Sequence, residues 1–247
     1  MLNEVVVFGW ASSVERWAIA AAVTIAFALL ARALRGVDQS GMFAGGAACF
    51  LIFAGTGPAG FAVLAMLFLL TWVATRFGYR RKQDLGVAER GDGRDAWQVL
   101  ANLAVPAVAS AAFSATGNRA FLFAAAAALA EAAIDTVASE IGQTRRTAVL
   151  ITTGKPVPAG TDGGITLPGT AAGALAGAVI GLLAAAGGMI PWPYSGLPWV
   201  AGFVGMLADS VLGATVQSRG WISNGGVNLL STFIAAVLAY AIAALSS

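Results

Sequence analysis

The chain has 247 residues, of which 58% are hydrophobic and only 11% charged, with a mean hydropathy of +0.80. Soluble domains carry about 25% charged residues, so this chain lacks the charge to cover a water-exposed surface. Composition therefore excludes secreted enzymes, cytosolic nucleotide-binding domains and nucleic-acid binders, and the net charge of +2 is too small to favour a polyanionic partner.

The reading that remains is an all-α, polytopic integral membrane protein built as a single transmembrane domain over residues 1–247. The absence of histidine removes His-based general-base catalysis, His metal sites and haem ligation. The single cysteine, Cys49, can form no intrachain disulfide and reads as a small buried hydrophobe. The stretch from Met1 to Arg16 carries Glu4 and Glu15 and lacks the basic n-region of a cleaved signal peptide, so the first apolar run is expected to be retained.

A helical crossing takes about 20 apolar residues, with about 17–25 tolerated. In chain order, the expected spans fall at roughly 17–34, 41–55, 59–76, 96–114, 119–141, 164–187, 198–217 and 225–245. Eight is the expected count and seven the fallback, because Gly55-Thr56-Gly57-Pro58 separates the second span from the third and can close a tight hairpin. Two sizeable loops remain, 77–95 and 142–163.

Lys and Arg concentrate in cytoplasmic loops. With the segments after spans 1, 3, 5 and 7 inside, twelve of the fourteen cations face the cytoplasm: Arg32, Arg35, Arg76, Arg80, Arg81, Lys82, Arg90, Arg94, Arg145, Arg146, Lys155 and Arg219. Arg16 and Arg119 stand alone on the far side. Both termini then face outward, and both loops face in. The expected location is the cytoplasmic membrane with the functional face toward the cytoplasm. Along the sixth span, Gly169, Gly173, Gly177 and Gly181 recur every fourth residue, spacing that lets a neighbouring backbone approach closely.

Acids inside a membrane are costly and mark functional sites by default. The fifth span carries Glu131, Asp135, Ser139 and Glu140, with Glu131, Asp135 and Ser139 on one face. Glu140 lies about 140° round the helix from Asp135, near the cytoplasmic end. Asp209 sits in the seventh span, followed by Ser210. At 1.5 Å per residue, Asp135 and Asp209 both lie roughly 9–13 Å from the cytoplasmic face, within reach of one cavity. No Lys or Arg of the sequence lies at matching depth. Such carboxylates either stay protonated and tie helices together or bind a cation. An all-oxygen ligand set of carboxylates and hydroxyls suits Mg²⁺, with substrate phosphates completing the shell.

The second loop offers phosphate donors. Lys155, Thr161, Asp162, Gly163 and Gly164 lead through Thr166 and Thr170 into the sixth span, whose N-terminus is an anion site in waiting. The GxxxxGK[ST] loop of soluble NTPases is absent, and a turn-rich connector is the bland alternative. Asn224 and Asn228 open the eighth span, and Gln98 and Asn102 open the fourth, following Arg94; interhelical hydrogen bonds are their plainer role. Arg80-Arg81-Lys82 reads as topological or headgroup-binding.

The segments Gly86–Glu89, Gly93-Arg94, Gln98–Asn102, Asp135–Gly142, Lys155–Gly164 and Asp209–Gln217, with Asn224 and Asn228, resemble the transmembrane-protein-19-like family. That family includes the plant phytyl-phosphate kinase of vitamin E synthesis. More distantly, the layout is similar to integral-membrane polyprenol kinases and cytidylyltransferases, although Thr161-Asp162 stands where those relatives carry Lys-Ser. The resemblance implies phosphoryl transfer from a nucleoside triphosphate, CTP among the candidates, to an isoprenoid monophosphate. Taken together with the residues, it makes Asp135, Glu140 and Asp209 the expected Mg²⁺ ligands. Lys155, Thr161, Asp162, Gly163, Gly164 and Ser210 are then nucleotide contacts. Arg94, Asn102, Asn224 and Asn228 hold the acceptor phosphate or complete the site, with Glu131 behind them. Rival readings are a lipid-phosphate nucleotidyltransferase, an isoprenoid-alcohol kinase, or a cation- or proton-coupled transporter; homo-oligomerisation is left open.

Overall fold

The computed structural model describes residues 13–89 and 91–246. Glu4, the rest of the first twelve residues and Arg90 lie outside the described part. Among the described residues, seven helices are long and apolar enough to cross a membrane: α1 (Ser13–Ala33), α2 (Gln39–Arg76), α4 (Ala96–Thr116), α5 (Ala120–Gly142), α6 (Leu167–Ala186), α7 (Gly196–Leu212, extended by turns at both ends) and α8 (Asn224–Leu245). The short α3 (Tyr79–Asp84) lies in the first loop.

Helix α2 has 38 residues and would be about 57 Å long if straight, nearly twice the hydrocarbon thickness. It is not straight. Gly57 sits at φ 68, ψ −160, a conformation essentially confined to glycine, and Pro58 follows without a backbone donor. Arg76, at the far end of α2, donates to the Leu34 carbonyl, and so does Trp72, at 2.6 and 3.1 Å. Leu34 is only four residues before Asp38, which caps the start of α2 by accepting from the Gly41 amide. Both ends of α2 thus meet at one membrane face, and the helix is a hairpin folded at Gly57. Each arm is about 27 Å long, enough to cross. The hairpin expected at Gly55–Pro58 is present, and with α2 counted as two arms the described residues hold eight segments long enough to cross.

α5 is the axis of the bundle. It is buried nearly throughout and packs against α2, α4, α6, α7 and α8. Its alanine run, Ala124 to Ala128, is at most 4% exposed and lets these helices come close. The glycine row of α6 packs on α5: a Cβ on Gly173 would lie 2.6 Å from the Ile134 carbonyl oxygen, and one on Gly169 would strike that of Ala138. Side chains such as Leu29, Phe43, Leu51, Leu69 and Val204 are exposed on the outside, as a lipid-facing surface requires.

The second loop is more ordered than a turn-rich connector. It forms a three-stranded antiparallel sheet of β1 (Thr147–Leu150), β2 (Pro156–Pro158) and β3 (Gly164–Ile165) in the order β2-β1-β3, with Ala148 opposite Val157 and Val149 opposite Ile165. This small sheet departs from a purely helical chain without altering the class. The end of α7 also departs from regularity, widening at Gly213–Gln217 into a π-helical turn. The sheet, α3, the π turn and the inner ends of the helices share one face, which carries the excess positive charge. Asn118 donates to the Tyr240 hydroxyl on the opposite face at 3.0 Å.

Candidate functional site: two clefts on either side of α5

A polar cleft opens on the basic face between α5, α6, α7 and the sheet. Asp135 and Ser139 line it from α5, Ser210 from α7, Gln217 from the π turn, Thr161, Asp162 and Gly164 from the loop, Thr170 from α6 and Asn224 from α8. These residues are scattered over ninety positions of sequence, and the fold brings them together. π turns, which rotate the following side chains out of α-helical register, occur often at functional sites. Here Gln217 is brought to donate to the Asp162 carboxylate at 2.8 Å. Burial pushes the Asp162 carboxyl above its usual value.

Asp209 lies beside the cleft, next to its lining residue Ser210. Its carboxylate accepts from the Ser231 hydroxyl at 3.2 Å and is close enough to Asp135 and Asp162 to act on both electrostatically. Glu131, one turn deeper along α5 than Asp135, completes the acidic group. It is 1% exposed, and neither carboxylate oxygen has a hydrogen-bond partner. Gly202 and Gly205 of α7 make room for it, since a Cβ on Gly205 would lie 2.6 Å from the Glu131 Cγ.

Several expected roles change. Glu140 does not join Asp135 and Asp209: one of its oxygens pairs with Lys82 and the other accepts from the Thr75 hydroxyl at 2.9 Å. Lys82 is fully buried and also donates to the Ala74 and Thr75 carbonyls at 3.2 and 2.8 Å, so it is neither a topological nor a headgroup-binding residue. A cation does therefore lie level with one acid. Sequence alone placed Lys82 in a loop because nothing in Tyr79–Asp84 signals that α3 turns it inward. Among the described residues no three carboxylates converge as a ready-made metal site.

The phosphate-loop expectation is also altered. Lys155 is exposed on the β1–β2 turn, away from the cleft, where its carbonyl accepts from the Leu150 amide. The Gly164 amide donates to the Thr161 carbonyl at 2.9 Å and is not free for a ligand. Gly163, at φ 75, is needed for packing: a Cβ there would lie 2.5 Å from the Ser210 carbonyl oxygen. The N-terminus of α6 is capped by its own Thr166, which accepts from the Gly169 amide at 3.1 Å. Asn228 lies one turn along α8 from Asn224, and its carbonyl accepts from Ser231 and Thr232.

On the other side of α5 lies a second cleft. Its body is apolar, walled by α1, both arms of α2, α4 and the Ala132–Thr136 side of α5. Its mouth holds Arg35, Arg76, Glu89, Arg94 and Gln98, and Asn102 stands deeper. Gln98 has two structural tasks: it forms a capping box with Asp95 and donates to Glu89 at 2.9 Å. Asn102 donates to the Gln98 carbonyl, while its own side-chain oxygen has no partner. The two clefts share the wall of α5, with Ala132 and Thr136 lining the apolar one and Asp135 and Ser139 the polar one, and Arg94 stands at the mouth of the apolar cleft.

The fold and site thus define a helical integral membrane protein with an acidic polar cleft and an apolar cleft meeting at one basic face. The chain belongs to the family described as integral membrane protein DUF92, whose model matches residues 22–236. This bears out the family resemblance drawn from residues 86–228. It is 32% identical over 200 residues to the uncharacterized membrane protein sll0875 of Synechocystis, covering 78% of each chain. It is 31% identical over 218 residues to protein VTE6, chloroplastic, of Arabidopsis thaliana, covering 83% of this chain and 64% of that one. It is also 31% identical to the uncharacterized membrane protein MJ0933 of Methanocaldococcus jannaschii, over 85% of this chain and 87% of that one. No solved structure matches.

Proposed function

We propose that the protein is a membrane kinase that moves the terminal phosphoryl group of a nucleoside triphosphate, CTP or another, onto an isoprenoid monophosphate. The observation that carries this reading is the pair of clefts on either side of α5, one apolar with Arg94 at its mouth and suited to a lipid, the other lined by Asp135 and suited to a metal–nucleotide complex. The family resemblance, which includes the plant phytyl-phosphate kinase, supports it.

The donor set fits Mg²⁺. Asp135 with Ser210 and the nearby Asp209 are all-oxygen groups, and among the described residues no Lys or Arg lines the polar cleft. An anionic triphosphate entering among carboxylates requires a cation between them. Mg²⁺, when bound, would neutralise charge on the triphosphate. Asp135 and Asp209 would hold it, and Thr161, Asn224 and Gln217 would orient the nucleotide. Glu140 supports the end of α5 through Lys82. Arg94 and Asn102 would face the acceptor.

In the reaction, a phosphate oxygen of the acceptor forms a bond to the γ-phosphorus while the β–γ bridging P–O bond breaks. The nucleoside diphosphate leaves with those bonding electrons. The acceptor oxygen is already anionic, so no strong general base is needed, consistent with a chain lacking histidine. By the positive-inside rule the basic face is cytoplasmic, where nucleotides are supplied.

The test mixes detergent-purified protein with Mg²⁺, a panel of triphosphates, and geranylgeranyl and phytyl monophosphates, and reads products by mass. A diphosphate product lost on Asp135→Asn supports the kinase. A nucleoside monophosphate adduct makes the protein a nucleotidyltransferase instead. One observation favours a second reading: the unpartnered, buried Glu131 beside Asp135 and Asp209 suits a proton or cation carrier. Ion-dependent flux in proteoliposomes with no nucleotide consumption would establish that.

A further inference from the structure

We infer that the apolar cleft on the α1–α2 side of α5 is the binding site of the acceptor's isoprenoid chain, with Arg35 and Arg76 as anionic-head contacts and Gly45 as a determinant of chain length. This deepens the kinase reading and rests on it for the identity of the lipid, although binding can be measured separately from transfer.

Three features point to a lipid with one chain and one anionic head. The first is shape. The cleft is a single lumen that follows the second arm of α2 from Arg76 to Leu64, about 18 Å at 1.5 Å per residue, or more than half the hydrocarbon thickness. Its inner walls are Phe27, Leu64, Leu67 and Phe68, with no charged group among them.

The second feature is the mouth, where the cations are held in place. The Arg76 guanidinium stacks on the Trp72 ring at 3.9 Å from the centroid and donates to the Leu34 carbonyl, so one face and one edge are fixed while other donors remain. Arg35 is the only non-glycine residue among those described with a positive φ, 53°. That conformation is unfavourable for a long side chain. It is imposed by the turn in which the Arg35 amide bonds the Arg32 carbonyl and the Gly36 amide that of Ala31. The turn sets Arg35 on the same rim as Arg76, which bonds the carbonyl of the residue before it. The one acid on this rim, Glu89, is engaged by Gln98.

The third feature is the relation to the chemistry. A head held by Arg35 and Arg76 lies on the same rim as Arg94, in a cleft lined by Thr136 of α5, the residue next to Asp135 of the polar cleft. The transferring phosphate would then approach from the other side of α5. Gly45 lies deeper in the lumen, where a Cβ would make only ordinary contact with Val99, at 3.5 Å. The backbone therefore tolerates a side chain there, and a larger one takes space from the ligand.

The experiment photolabels the purified full chain with a diazirine-bearing geranylgeranyl monophosphate and maps the adducts by mass spectrometry. Adducts are expected on α1 near Phe27–Ala31 and on α2 near Leu64–Phe68. The Arg35→Gln/Arg76→Gln variant is expected to weaken labelling about tenfold or more, as the loss of charged hydrogen bonds implies. Gly45→Leu is expected to keep affinity for geranyl monophosphate as competitor while losing it for geranylgeranyl monophosphate, a change that general unfolding cannot produce. Adducts confined to the polar cleft or the outer helix faces would overturn the inference. So would equal competition by two-chain phosphatidic acid. Adducts in the cleft with no phosphoryl transfer from any triphosphate would leave this inference standing and sink the kinase; transfer with adducts elsewhere would do the reverse.

Discussion

The Lys82–Glu140 pair separates a structural acid from a metal ligand. Their side chains are 0% and 6% exposed, and Lys82 places its three donors on Glu140 and on the Ala74 and Thr75 carbonyls. Lys82→Met leaves the Glu140 carboxylate buried with only the Thr75 hydroxyl. Removing one partner of a buried pair costs about 3–5 kcal/mol. For a chain of this size that corresponds to a fall in Tm of about 6–20 °C. Glu140→Met strands the ammonium in the same way. The double variant Lys82→Met/Glu140→Met strands neither charge, and replacing a whole buried pair by apolar groups is often close to neutral. Its stability is therefore expected to lie well above that of either single variant, not at the about 6–10 kcal/mol sum of two independent losses. The assay is thermal unfolding of detergent-purified variants, with phosphoryl transfer followed in parallel against Mg²⁺ concentration. If the double variant is as unstable as the additive sum, the two charges do not depend on each other and the reasoning fails. If Glu140→Met unfolds normally but needs far more Mg²⁺ for transfer, Glu140 is a metal ligand after all.

Four further outcomes are expected. Asp135→Asn and Asp209→Asn should each lower phosphoryl transfer by at least about a hundredfold with unfolding unchanged or improved; Ser231→Ala, which removes the donor to Asp209, should cost about 10–100-fold, read from product mass against time. Gly57→Ala should destabilise by about 1–3 kcal/mol because the hairpin holds that residue at φ 68, ψ −160; an unchanged Tm would mean the bend does not depend on glycine. The Asp38 carboxyl is held below its usual range first by the Gly41 amide and then by the Ser40 hydroxyl. Its capping contribution is thus complete above the unfolded value of about 3.9 and is lost as pH falls through the lower folded value. Asp38→Asn should flatten the acid limb of Tm against pH, and an identical limb would remove Asp38 from that account.

Much of the architecture was legible because a membrane span is read from hydropathy and length, both one-dimensional. The Gly55–Pro58 break, the lopsided charge and the α6 glycine row all carried through, each being a local backbone or solvation constraint. Asp135, Thr161, Asp162, Gly164, Ser210 and Asn224 do meet in one cleft, since polar residues near the inner ends of spans have few other places to go. The second loop was harder to read: its Gly, Pro and Thr residues are as compatible with a β-meander as with a phosphate cradle. Only pairing between β1, β2 and β3 decides which amides are spent. Lys155 lies on the β1–β2 turn and Gly163 packs against α7, positions that only the pairing of the strands sets.

The sequence by itself determined that this is a helical membrane protein with basic loops on one face and acids buried beneath it, because desolvation of charge and of backbone leaves no other solution. Which acid has which neighbour was decided only by tertiary structure. Glu140 and Asp135 are five residues apart on one helix, yet the rotation between them turns one toward Lys82 and Thr75 and the other into the polar cleft. The apolar cleft was likewise invisible, being walled by side chains whose hydrophobicity looks the same whether they face lipid, protein or a ligand. A cavity is a property of how helices are spaced, and the hairpin at Gly57 and the packing around α5 set that spacing.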